Sequence, residues 1–153
     1  MSTITPFLWF ENQAEEAMHY YLSIFRNSKT LSVSRAGGRV TSVTFELDGQ
    51  RFIALNAGPL YKFNEAISFF ISCETQDEID YYWNELTAAG GFESQCGWLK
   101  DRFGVSWQVV PTVLGSLMSD PDPRKARATV DAMMQMKKLV IAELKKAHDR
   151  PEA

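Results

Sequence analysis

Val40-Thr-Ser-Val-Thr-Phe-Glu-Leu-Asp-Gly-Gln-Arg-Phe-Ile-Ala-Leu-Asn56 is the stretch on which the fold turns. Val43, Phe45 and Leu47 alternate with Ser42, Thr44 and Glu46, the period-two pattern of a strand with one buried face. Asp48-Gly49 supplies a tight hairpin, because glycine reaches positive φ without steric penalty, and Arg51–Asn56 runs back. Upstream, Thr30–Arg35 is a further strand, separated from Val40–Leu47 by the turn pair Gly37-Gly38. Earlier still, Ile4–Phe10 reads as an apolar strand that tolerates Pro6 near its start. Asn12 then stands where a helix N-cap belongs, with Glu15 and Glu16 in the first turn, facing the positive end of the helix dipole. Ala14, Ala17, Met18, Tyr21, Leu22 and Phe25 recur at three- and four-residue steps, the spacing of an amphipathic helix that ends at Asn27 and Ser28. The first block is therefore β-α-β-β-β.

Gly58-Pro59 breaks the chain and the pattern starts again. Ala66–Cys73 is a strand, and Thr75-Gln-Asp-Glu78 has capping-box spacing. Ile79, Tyr82, Trp83 and Leu86 continue a helix to Gly90-Gly91. Phe92–Leu99 and Val105–Pro111 are strands around the turn at Asp101–Gly104. Glu16, Tyr20 and Tyr21 recur as Glu78, Tyr82 and Trp83, a common shift of 62 positions, so the chain reads as an internal duplication. The expected organisation is an α+β fold: two β-α-β-β-β modules, about 1–60 and 61–118, forming a curved mixed sheet. Residues 119–153 follow as a linker and C-terminal helix of the same domain. That helix, about Arg124 to Ala147, carries a stripe of Ala126, Val130, Met133, Met134, Val140, Ile141 and Leu144.

The chain has 153 residues, 45% hydrophobic and 23% charged, enough to bury a sizeable core. Sixteen basic against nineteen acidic residues argue against nucleic acid as a partner, since phosphate binding needs a basic face. Arg124–Arg150 holds eight basic and three acidic residues, a net +5, against −8 for the rest. This suits a helix packed on an acidic body or across a subunit boundary better than one lying on a membrane. No apolar run is long enough to span a bilayer. Met1–Thr5 lacks a signal peptide's charged start, and two cysteines make no disulfide framework, so a cytoplasmic location is expected.

Thr5-Pro-Phe-Leu-Trp-Phe10, Ala54-Leu-Asn-Ala-Gly-Pro59, Phe63-Asn-Glu-Ala-Ile-Ser-Phe69 and above all Cys96-Gly-Trp-Leu-Lys-Asp-Arg-Phe-Gly-Val-Ser-Trp-Gln108 narrow the reading further. With the doubled module, these resemble the PhnB-like subgroup of the vicinal oxygen chelate superfamily. Some of its members carry the label 3-demethylubiquinone-9 3-methyltransferase domain. The superfamily includes glyoxalase I, extradiol dioxygenases and bleomycin-resistance proteins. The resemblance runs from about Ile4 to Ala147 and implies sheets curled around clefts, with metal ligands on the first and last strands of each module in the metal-dependent members. This chain departs from that pattern. Gln108 stands where those enzymes often have Glu, Asn56 is the nearby amide of the first module, and two neutral amides do not hold a transition metal. His19 lies four residues after Glu15 on a helix face, and His148 lies in a charged tail where solvation is expected. The site is therefore read as metal-free and without a cofactor.

The candidate ligand-binding residues are Trp9, Asn56, Cys96, Trp98, Trp107 and Gln108. Each tryptophan either packs the core or forms a flat apolar wall. Each amide either meets a ligand or bonds to neighbouring backbone. Cys96 and Cys73 are expected to be inert, and Asp101 and Arg102 to be solvated turn residues. No glycine-rich strand-to-helix turn is present for a methyl donor, so methyl transfer finds no support in the sequence. The expected function is cytoplasmic, homodimeric binding of a small, partly apolar or aromatic molecule, without nucleic acid or membrane as partner. The alternatives are an enzyme of the vicinal oxygen chelate type, a lyase, isomerase or dioxygenase with or without a metal, and a purely structural partner in an assembly.

Overall fold

Strand β3 (Arg39–Leu47) pairs antiparallel with β4 (Gln50–Asn56), with Val43 opposite Ala54 and Phe45 opposite Phe52, as the alternation predicts. β2 (Ser28–Ala36) flanks β3 antiparallel, while β1 (Phe7–Phe10) lies parallel to β4. A parallel pair needs a crossover, and α1 (Ala14–Ile24) provides it. Sheet order is β1-β4-β3-β2. Ala14, Ala17, Met18, Tyr21 and Ile24 are buried on α1, and Tyr21 stacks on Phe45, which stacks on Phe52. The computed structural model describes residues 2–151, and the chain divides after Phe63 into two units. The outer limits expected at residues 1 and 153 lie outside the described residues.

Asn12 does not cap α1. Gln13 occupies the N-cap position without a side-chain bond, and the amide of Ala14 instead donates to Oδ1 of Asn56 at 2.8 Å. The parallel register explains this, because it sets Phe10 opposite Asn56 and brings the asparagine beside the helix start.

The second unit repeats the arrangement with β5 (Phe69–Cys73), α2 (Gln76–Thr87), β6 (Phe92–Glu93), β7 (Trp98–Lys100) and β8 (Ser106–Pro111), ordered β5-β8-β7-β6. α2 starts 62 residues after α1, and Trp83 is buried as Tyr21 is. The Thr75 hydroxyl accepts the Glu78 amide at 3.2 Å, a true N-cap.

The expected strand Phe92–Leu99 is split. Cys96 and Gly97 take left-handed φ of 58° and 85°, which turns their amides away from the sheet. Those amides donate to the carbonyls of Met136 and Lys137, each at 2.8 Å.

The single long C-terminal helix is also corrected. A short α3 (Val113–Met118) precedes α4 (Pro123–Met134) and α5 (Ile141–Asp149), and residues 135–140 run between the last two. The helix break lets Leu139 and Leu144 join Val110, Leu114 and Leu117 in one buried cluster, which a continuous helix with Met134 and Val140 six residues apart would not present. Gln76 clamps the break from α2: its Nε2 donates to the Leu139 carbonyl at 3.0 Å and its Oε1 accepts the Ile141 amide at 2.8 Å. Lys138 pairs with Asp80 at 2.9 Å and holds that carboxyl below its usual range. No helix among the described residues is long and apolar enough to cross a membrane.

His148 is not a solvated tail residue. Its Nδ1 lies 3.1 Å from Asp149 and its Nε2 lies 2.9 Å from Asp120, which ties α5 to the segment before α4. The Asp149 and then the Asp120 hydrogen bond raise the imidazole pKa above 6.5, while the Asp122 amide and then His148 lower that of Asp120. A raised histidine stabilises fully below its ordinary pKa and loses that stabilisation as pH rises through the raised value. Lowered Asp120 keeps its contribution above 3.8 and loses it as pH falls through its shifted value. The melting-temperature gap between the native chain and His148→Gln should therefore be open near about pH 6 and closed by about pH 9. A gap that is the same at both pH values would refute the tether.

Candidate functional site

Cross-strand register builds the site. Phe70 on β5 lies opposite Gln108 on β8, and Gln108 lies opposite Trp98 on β7. Side chains directly opposite share a face, so one row across the sheet reads ring, amide, ring. This row lines a cavity of about 480 Å³. Ser72 and Val110 extend the sheet wall, Cys96 comes from the β6–β7 connection, and Leu114, Gly115, Met118 and Met133 come from α3 and α4. Among the described residues, no carboxylate, imidazole, ammonium or guanidinium belongs to the lining. Lys100, two residues beyond Trp98, is ion-paired with Glu65, whose carboxyl it lowers by hydrogen bonding.

Gln108 is oriented by its Nε2, which donates to Ser68 Oγ at 2.9 Å. Its Oε1 has no partner among the described residues and remains an acceptor at the centre of the aromatic row. Cys96 Sγ lies 3.6 Å from Met134 Sδ. The other cysteine, Cys73, is fully buried, and burial with the nearby Glu78 charge pushes its thiol up to about 12, so it offers no thiolate.

Of the six sequence-derived candidates, the structure brings Cys96, Trp98 and Gln108 together. Trp107 is a core residue: adjacent to Gln108, it must face the other side of the sheet, where it is 3% exposed and tilts against Phe69 at 5.3 Å. Asn56 spends its amide within the first unit, accepting from Ala14 and donating to the Val40 carbonyl at 3.1 Å. Trp9, in the same unit, donates from Nε1 to the Gly58 carbonyl at 2.9 Å and meets Tyr61 edge-on. Asp101 is no solvated turn residue either. It is 3% exposed and accepts from the amides of Phe103 and Val105 and from Trp107 Nε1, at 2.9, 3.1 and 2.9 Å. His19 is exposed, and Glu15 pairs with Arg35 rather than with it.

Sequence reasoning missed Phe70, Leu114, Met118 and Met133. Phe70 was legible in principle, since it lies in the expected strand Ala66–Cys73, of which Phe69–Cys73 forms, and a strand's faces alternate. The α3 and α4 residues left no local signal, because only the chain's return beside β8 makes them walls.

Residues 2–110 match the family described as 3-demethylubiquinone-9 3-methyltransferase. A PhnB protein of Bacillus cereus is 35% identical, with 72% of this chain aligned to all of that one at a TM-score of 0.67. The Pseudomonas aeruginosa protein PA1353 is 19% identical over 72% of this chain and 98% of its own, with a TM-score of 0.60. The fosfomycin resistance protein FosX of Listeria monocytogenes, solved with manganese(II) and sulfate, shares 13% identity over 76% of this chain and 94% of its own, at 0.55. No curated protein matches the chain. Its sequence match and its doubled β-α-β-β-β architecture place this chain in the 3-demethylubiquinone-9 3-methyltransferase family, the PhnB-like branch of the vicinal oxygen chelate fold.

Proposed function

We propose that the protein binds a small, largely aromatic molecule bearing a hydrogen-bond donor, in the cavity of its second unit and without a metal. The observation that carries this reading is the Phe70–Gln108–Trp98 row, with an amide oxygen free between two rings. Burying apolar ligand surface contributes roughly 25 cal/mol per Å² before binding costs, and the Gln108 oxygen orients the donor.

A manganese ion of the kind FosX holds calls for imidazole and carboxylate ligands, whereas this lining offers one amide, hydroxyls and sulfur. That donor set does not fit the ion. Methyl transfer by a glycine-turn donor site is likewise not supported. The strand-to-helix turns carry Glu11, Asn12 and Gln13 in the first unit and Glu74 and Thr75, then Thr112, in the second, with no glycine among them.

Titration with N-phenyl-1-naphthylamine, an aromatic amine with one N–H, tests the proposal. Saturable binding is expected in the native chain, weakened by about tenfold or more in Trp98→Ala, the equivalent of ~1.4 kcal/mol. Equal affinity in the two proteins would sink the reading.

Homodimerisation in the cytoplasm belongs to the same proposal. It is supported by the nine-residue outer strand β2, whose far edge is unpaired among the described residues, and by the free thiols of Cys73 and Cys96. Light scattering should return twice the 17.4 kDa chain mass, and a monomer at micromolar concentration would count against it.

A further inference from the structure

The family match ends at residue 110, and the Bacillus protein is covered in full by 72% of this chain. Yet Leu114, Gly115, Met118 and Met133, which line the cavity together with the strands, all come from beyond that point. We infer that α3 and α4 are the specificity element of this pocket, and that Met118 and Met133 select flat aromatic ligands through the thioether part of the lining they share with Trp98 and Phe70. The inference rests on the binding role proposed above for the same cavity.

Two observations support it. The wall is anchored rather than loosely apposed: the amides of Cys96 and Gly97 donate to residues 136 and 137, Gln76 clamps Leu139 and Ile141, and Leu114 and Leu139 share a buried cluster that Met133 packs against. Its pocket face is chemically distinctive as well. Thioethers are unbranched and polarizable, and they favour contact with aromatic rings over saturated ones of the same size. A ligand ring lying along the Phe70–Gln108–Trp98 row would have these sulfurs as its other neighbours.

The test is displacement of bound N-phenyl-1-naphthylamine by 1-naphthol and by decahydro-1-naphthol, which share a bicyclic frame and a hydroxyl donor but differ in flatness. The native chain should favour 1-naphthol by about fivefold or more, and Met118→Ala/Met133→Ala should lose most of that preference. Met118→Leu/Met133→Leu keeps the wall's bulk and guards against a packing defect: it should retain the native melting temperature while still losing part of the preference. Equal displacement by the two alcohols in the native chain, or an undiminished preference in both double variants, overturns the inference. Loss of preference in these variants with probe binding still sensitive to Trp98→Ala supports it. If Trp98→Ala leaves the probe's affinity untouched, the cavity reading itself fails, and the inference falls with it.

Discussion

Asp101→Ala should destabilise the protein by about 3–5 kcal/mol, a fall in melting temperature of roughly 8–15 °C for a chain of this size. The carboxylate is 3% exposed, and it takes two backbone amides and the Trp107 indole N–H. Removing it takes this acceptor from the Val105 amide and the Trp107 indole N–H, both buried where water cannot replace it, and from the half-buried Phe103 amide. Asp101→Asn separates charge from shape. Its amide oxygen can still accept from the turn, but its NH2 group cannot accept from the indole, so a loss of about half the alanine value is expected. Thermal scans of both variants decide the matter, and a native melting temperature for Asp101→Ala would show that this network carries little stability.

Gly97→Ala is the second large effect, expected at about 2–4 kcal/mol. Gly97 sits at φ 85°, and an added Cβ would stand 2.9 Å from the Val109 carbonyl oxygen and 3.0 Å from Leu139 Cδ1. The first neighbour is backbone within the sheet and cannot swing aside, so the strand junction or the segment at 136–139 must move. Gly38→Ala is the control, since φ there is 78° with open space around the new Cβ, leaving strain as the sole penalty. Alongside the lower melting temperature, hydrogen exchange should quicken at the amides of residues 96 and 97, which donate to Met136 and Lys137. Identical losses in the two glycine variants would remove the clash from the account.

These two positions also mark how far the sequence could be read. Asp101 looked like ordinary turn chemistry, because Asp-x-x-Gly describes a turn whether or not it is buried. Its burial follows from Trp107, six residues on, being placed on the covered face of the sheet. Gly97 fell inside a strand expected to run unbroken from Phe92 to Leu99, and the cause of the break lies some forty residues away in the chain.

The six candidate residues divide in the same way. Trp98 and Trp107 are equally aromatic and both sit on strands bordering the cleft, so composition cannot separate them. They are not on one face, however: pairing sets Trp98 against Gln108, and Trp107 then turns toward Phe69 and Asp101. Asn56 was a sound choice as a strand amide needing a partner, and its partners proved to be Ala14 and Val40.

The amino-acid sequence by itself determined the first β-α-β-β-β module, the recurrence of its strand–helix start in the second half, the turns and the capped second helix, and its longer motifs carried the resemblance to the family. The elements are written in spacings of two, three or four residues, where neighbouring side chains sense one another directly. Tertiary structure alone decided which face of each strand is covered, which amide stays open, where the last helix breaks and what walls the cavity. Those outcomes depend on contacts between residues tens of positions apart, and a pattern of alternation names two faces without saying which of them will meet water.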